Sequence, residues 1–114
     1  MQVKITTDNH ISNGDHLTSD VTTTIESSLS RFQDQLTRVE VHLTDINGPK
    51  GGVDKRCVIE VRPAGRQPVA AAHEAATIME SVRGAAEKLE RNLAKLVDRQ
   101  SDHKGRTSLG EPVE

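Results

Sequence analysis

Residues 38–44 read RVEVHLT, and this stretch decides the fold. Val39, Val41 and Leu43 alternate with polar residues, which is the period-two pattern of a β-strand with one buried face. The segment at 2–7 near the N-terminus repeats the alternation over a shorter distance. The sequence therefore predicts a first strand at 2–7 and a second strand at 38–44.

Between these two strands, apolar residues recur at the spacing of an α-helix. Steps of three or four residues place six of them on one helical face: Leu17, Val21, Ile25, Leu29, Phe32 and Leu36. The threonines and serines of this segment are poor helix formers, but the periodicity outweighs them. A strand, a helix and a strand close as a right-handed crossover, so we expect the first two strands to be parallel.

Two further strands follow a glycine-rich loop at 47–52. The predicted third strand, at 57–61, alternates apolar and polar residues, and the predicted fourth covers 67–72. Because Pro68 cannot donate a ladder hydrogen bond, we expect the fourth strand to start there or to lie at an edge.

A long amphipathic helix, from about Glu74 to Arg99, completes the pattern. Its apolar stripe consists of Ile78, Val82, Ala85, Leu89, Leu93 and Leu96. Gly84 inside it costs about 1 kcal/mol relative to Ala, and we expect close packing to require it. The order β-α-β-β-β-α predicts an α+β fold, a four-stranded mixed sheet with two helices packed on one face. We expect residues 1–100 to form one domain and residues 101–114 to be a disordered tail.

The composition limits the possible classes of function. The chain has 114 residues, which suits one domain, and Phe32 is its only aromatic residue. The single cysteine, Cys57, excludes an internal disulfide and fits a reducing compartment. No signal-peptide pattern occurs, and no segment approaches the roughly 20 apolar residues of a membrane span. We therefore predict a cytoplasmic protein with no membrane partner.

No enzyme motif appears in the sequence. The five histidines lack the spacing of metal ligands, and we expect each to be a lone surface residue: His10, His16, His42, His73 and His103. The cysteine alternates with core-facing residues and is predicted to be buried. We predict no catalytic residue, no metal site, no cofactor and no small-molecule substrate.

The final helix carries a row of cations. At 100° per residue, four basic side chains fall within about 80° of one another: Lys88, Arg91, Lys95 and Arg99. Residues 55–106 hold eleven basic and seven acidic residues, whereas residues 1–54 hold four and eight. Such a row can meet the phosphates of a folded RNA. The simpler alternative is a solvated helix face with pairs such as Glu87–Arg91.

Other basic residues could extend this row. Arg31 and Arg38 flank the end of the first helix, and four more lie on or near the third strand: Lys55, Arg56, Arg62 and Arg66. The simpler interpretation of the second group is charge that protects an edge strand.

Residues 88–96 read KLERNLAKL. They resemble the closing-helix signature Lys-Leu-Glu-Arg-x-Leu-x-Lys of the ribosome hibernation-promoting factors and the related ribosome-associated inhibitor, once called sigma-54 modulation proteins. The predicted element order, residues 1–5 and residues 29–32 also resemble this family, and the resemblance covers roughly residues 1–99. The glycine-rich loop, and a segment at 77–79 without the family's usual aromatic residue, indicate a divergent branch, in the short form with one domain.

The resemblance implies a ribosome-associated translation regulator. Its partners would be the small ribosomal subunit and its rRNA, not DNA, and it would block the decoding region in stress or stationary phase. The matching basic residues, which would bind RNA, are Arg31, Lys88, Arg91 and Lys95; Arg83 and Arg99 are additions without a clear motif match.

Two alternative functions belong to other classes. The first is a protein-interaction module that keeps the fold but not ribosome binding. The second is a small enzyme whose site forms only in three dimensions, in a deep pocket with two or more of His42, Cys57 and His73.

Overall fold

The computed structural model describes residues 1–8, 15–46 and 54–105, with the side chains of residue 15 and of residues 97–105 left out. The predicted loop at 47–52 lies outside the described residues, as do His10 and the side chain of His103.

Four strands and two α-helices make up the described chain. They are β1 (Gln2–Thr7), α1 (Asp15–Ser28), β2 (Leu36–Asp45), β3 (Lys55–Pro63), β4 (Val69–Ala75) and α2 (Ile78–Gly105), with a 3₁₀ helix at Ser30–Gln35 between α1 and β2. This order confirms the predicted α+β class and its β-α-β-β-β-α sequence.

The strands form one sheet in the order β1-β2-β3-β4. β1 runs parallel to β2, as the crossover through α1 predicts. β2–β3 and β3–β4 are antiparallel. β1 and β4 are thus the edge strands, and β4 starts directly after Pro68, as predicted. β3 is a central strand, so the interpretation of its basic residues as protection of an edge is wrong.

One face of the sheet carries the core. Val39 lies between Val3 and Val61 across the sheet, and Val41 lies between Ile5 and Ile59. α1 and α2 pack their apolar stripes on this face, with Phe32 and Cys57 buried among them as predicted. The opposite face of the sheet carries alternate residues such as Lys4, Glu40 and Arg62, and we call it the open face.

The first helix is shorter than its apolar pattern predicts. α1 ends at Ser28, and Leu29 leaves the helical conformation with φ −105° and ψ 10°. The chain continues as a 3₁₀ helix in which the Phe32 amide donates to the Leu29 carbonyl at 2.9 Å. The tighter helix brings Phe32 into the core. Leu36 is buried as well, but it is the first residue of β2 and not, as its spacing predicts, part of a helix.

The second helix differs from its prediction at both ends. β4 continues to Ala75, because its ladder with β3 reaches the Lys55–Ala75 pair, and α2 starts only at Ile78. Thr77 caps α2, since its Oγ1 accepts a hydrogen bond from the Glu80 amide at 3.2 Å. α2 ends at Gly105, beyond the predicted helix end at about Arg99, so it includes the first residues of the predicted tail. The rest of the predicted tail, 106–114, lies outside the described residues.

Close packing between β4 and α2 explains the glycine in the helix. A Cβ atom on Gly84 would overlap the imidazole ring of His73, so only glycine fits there. The predicted close contact at Gly84 is confirmed. His73 itself is half-buried against α2, which differs from the expected lone surface position.

Candidate nucleic-acid interface

α2 presents a short row of cations to solvent. Its buried side, which includes Val82, Leu89 and Leu93, packs on the sheet and fixes the rotation of the helix. Helical periodicity then places three basic side chains on its outer surface, where all are exposed: Lys88, Arg91 and Lys95. We call these three residues the α2 row.

No described carboxylate forms an ion pair with the α2 row. Within the part of the chain whose side chains are described, the four ion pairs involve other residues, and the Glu87–Arg91 pair of the simpler alternative does not form. Lys88 instead donates from Nζ to the Ala72 carbonyl oxygen of β4 at 3.0 Å. This bond occupies a carbonyl on an edge strand and leaves the lysine's positive charge uncompensated.

The other predicted site residues lie elsewhere. Arg83 is exposed on the side of α2 that faces α1, about 140° around the helix from Lys88, where it shares a groove with Thr24 and Ser28. Arg31 belongs to the 3₁₀ helix, and its guanidinium lies 4.9 Å from the centre of the Phe32 ring. Arg99 belongs to α2, but its side chain lies outside the described residues. Of the five predicted residues whose side chains are described, the structure therefore brings three together on one surface of α2.

The open face of the sheet carries like charges in rows. Arg38 lies directly opposite Arg62, and in the next row Glu40 lies opposite Glu60. The Arg38 Nε and Glu40 Oε2 atoms form an ion pair at 3.1 Å along the strand. His42 lies on the same face, 3.7 Å from Glu40. The face is therefore mixed in charge rather than uniformly basic.

A buried carboxylate, that of Asp54, lies directly before β3, where the connection from β2 ends. Asp54 is fully buried, and its Oδ1 accepts a hydrogen bond from Lys55 Nζ at 2.7 Å. Lys55 Nζ also lies 3.6 Å from Asp45 Oδ2. The hydrogen bond to Asp54 is the main cause that raises the pKa of Lys55 above its usual value. This group stabilises the β2–β3 connection, where the Ile46 amide donates to the Asp54 carbonyl at 2.7 Å.

The residues of the enzyme alternative do not assemble into a site. Burial raises the pKa of the Cys57 thiol to about 12, so the cysteine is protonated and inert. His42 lies on the open face, opposite to the core face that holds Cys57, although His73 is the cross-strand neighbour of that cysteine. In the described ranges, no three histidine, cysteine or carboxylate side chains converge as metal ligands. Neither described helix has an apolar stretch that could cross a bilayer.

A model of a known protein family matches most of the sequence. Residues 3–101 match the model described as sigma 54 modulation protein / S30EA ribosomal protein. The match spans α1, most of α2 with the whole α2 row, and all four strands except the first residue of β1. No curated protein shows significant sequence similarity to the chain.

Two solved structures share the fold. A ribosomal subunit interface protein from Coxiella burnetii has a TM-score of 0.68 at 20% identity, over 86% of this chain and 99% of that one. The N-terminal domain of Protein Y from Thermus thermophilus has a TM-score of 0.68 at 20% identity, over 84% of this chain and 99% of that one. At this identity the likeness supports the fold alone.

Proposed function

Because the chain belongs to the family of sigma-54 modulation proteins and S30EA ribosomal proteins, which associate with ribosomes and are not a class of enzymes, we propose that it regulates translation on the small ribosomal subunit. It binds the rRNA of that subunit and blocks the decoding region in stress or stationary phase. The Coxiella protein of the same fold is described as a ribosomal subunit interface protein, which is consistent with this proposal. A cytoplasmic location follows from it.

One observation of the chain itself carries the RNA-binding part of the proposal. Lys88, Arg91 and Lys95 lie exposed on successive turns of α2, and none of them pairs with a described carboxylate. Adjacent turns are about 5.4 Å apart, so flexible side chains of such a row reach successive phosphates of a folded strand. Binding releases counterions from the RNA, which supplies the driving force.

The mode of recognition follows from the residues that are available. The chain has one Phe and no Tyr or Trp, and this residue, Phe32, is buried in the core, so bases cannot stack on a ring of these three types. The protein therefore reads the shape and the phosphates of the RNA rather than its base sequence. It acts by occupying space on the subunit, without turnover and without a cofactor.

Co-sedimentation with purified small ribosomal subunits tests this proposal. With the three phosphate contacts of the α2 row and a slope near −0.7 to −0.9 per contact, affinity should fall roughly 20- to 40-fold between about 50 and 200 mM salt. Binding that weakens in this way supports the proposal. No binding at the lower salt concentration contradicts it and favours the alternative of a protein-interaction module.

A further inference from the structure

A second basic feature lies at the turn between β3 and β4. A cleft of about 720 Å³ opens there, within the size range of ligand sites in proteins. Its lining includes the apolar residues Pro68, Val69 and Leu96 and the polar residues Thr37, Arg62 and Arg66. The cleft thus joins one end of the sheet to the C-terminal half of α2.

The backbone that carries the two arginines is held by hydrogen bonds. Gly65 adopts the left-handed conformation with φ 71°, and the Arg66 amide donates to the Pro63 carbonyl at 3.1 Å, which closes the turn. The Thr37 hydroxyl donates to the Arg62 carbonyl at 3.0 Å. The backbone of both arginines is therefore ordered before a ligand binds, which lowers the entropic cost of binding.

Two arginines give the described lining of the cleft a positive charge, and Arg62 also borders Glu40 and Glu60 on the open face. No described carboxylate lines it. Arg38, the cross-strand neighbour of Arg62, pairs with Glu40, whereas Arg62 and Arg66 form no ion pair among the described side chains. Like charges placed directly opposite destabilise a sheet, so an anion bound near Arg62 would relieve this repulsion.

The cleft continues the line of the α2 row. Lys88 meets β4 at Ala72, and further along the helix Leu96 shares the cleft with Val69. α2 therefore runs antiparallel to β4, and the row follows the outer edge of that strand towards the cleft. Lys95, the last cation of the row, directly precedes Leu96 in α2.

We propose that this cleft holds one nucleotide of a single-stranded RNA segment that follows the α2 row. The phosphate lies between the guanidinium groups of Arg62 and Arg66, and the base or ribose packs against Val69 and Leu96. Proteins that bind single strands combine a positive path for the backbone with flat or apolar surfaces for the bases. The inference rests on the proposed function in taking RNA as the partner, and it adds a contact outside the closing helix.

A titration of the full chain with a short single-stranded oligouridylate, followed by amide NMR shifts, tests the cleft. We expect the amides of Gly65, Arg66 and Val69 to shift on titration. The double variant Arg62→Gln/Arg66→Gln should bind about tenfold or more weakly, because two charge-assisted contacts are lost.

The control variant Lys4→Gln/Arg56→Gln removes the same charge from the open face, outside the cleft, and should bind within about twofold of the original chain. All four side chains are at least partly exposed, so thermal unfolding should be little changed.

Three outcomes would overturn the cleft assignment. Shifts confined to α2, with unchanged binding by the cleft variant, would exclude the cleft and leave the proposed function intact. Shifts with an oligoglutamate peptide but not with oligouridylate would identify an acidic protein segment as the occupant. Absence of any shift would exclude the cleft as an RNA site, while co-sedimentation with small subunits still reports separately on the proposed function.

Discussion

The imidazole ring of His73 in β4 lies directly against the α-carbon of Gly84 in α2. This contact sets the distance between the edge strand and the helix that carries the α2 row. Because the ring leaves no room for a Cβ atom, Gly84→Ala should destabilise the fold although alanine is the better helix former. We expect a net loss of about 1 to 2 kcal/mol in the free energy of unfolding, measured by urea denaturation.

The double variant His73→Ala/Gly84→Ala tests whether overlap with the His73 ring is the reason why Gly84→Ala loses stability. With the ring removed, the added methyl group fits, and the Gly84→Ala change should become neutral or stabilising by up to about 1 kcal/mol. A Gly84→Ala variant as stable as the original chain would show that the contact with His73 does not limit this position.

Cys57 should react with thiol reagents only when the protein unfolds. Its side chain is fully buried, and burial raises its pKa to about 12. Near pH 8 the sulfur is therefore neither accessible to the reagent nor ionised to the reactive thiolate. The labelling rate by a maleimide should therefore follow the population of unfolded chains and rise with urea. Rapid labelling of the whole sample without denaturant would contradict the burial of this thiol.

Lys55→Met should lower the urea midpoint of unfolding, because it removes the partner of the buried Asp54 carboxylate. The double variant Asp54→Asn/Lys55→Met should recover part of the loss, since no buried charge remains. Arg56→Met, on the open face, is the matched control and should change little. A urea midpoint of Lys55→Met equal to that of the control would show that the Lys55–Asp54 pair does not contribute to stability.

The stabilisation by the Lys55–Asp54 pair should also depend on pH. The pKa of Lys55 is raised above its ordinary value of 10.5, so the stability from the pair is fully present below that pH. It is lost as the pH rises through the raised value, because the lysine then loses its charge. The difference between the original chain and Lys55→Met should therefore shrink as the pH rises through the strongly alkaline range, as followed by urea unfolding at several pH values.

Periodicity in the sequence predicts most of the architecture. Alternation in β2 and helical spacing in α2 determine which residues face the core, and the exposed positions of Lys88, Arg91 and Lys95 follow from that spacing. The boundary between β4 and α2 does not follow, because the alanines at 70–72 carry no alternation that marks a strand. The pairing of β4 with β3 decides it instead.

Contacts between distant segments could not be predicted. The hydrogen bond from Lys88 to the Ala72 carbonyl depends on how α2 lies along β4, and so does the contact of the His73 ring with Gly84. The cleft combines Arg62 of a strand with Leu96 of a helix, and only the folded chain brings them together. The position of Arg83 towards α1 likewise required the helix rotation that the core sets.

The dependence of small-subunit binding on salt, compared between two charge-matched variants, tests the central claim most directly. Lys88→Gln/Arg91→Gln/Lys95→Gln removes the α2 row, and Lys4→Gln/Arg38→Gln/Arg56→Gln removes the same charge from the open face. The slope of log affinity against log salt should fall by about two to three units in the row variant, since each lost phosphate contact removes about 0.7 to 0.9, and should stay unchanged in the control. A row variant that keeps the original affinity and slope, or a control variant that loses as much, would contradict the assignment of the α2 row as the RNA-binding surface.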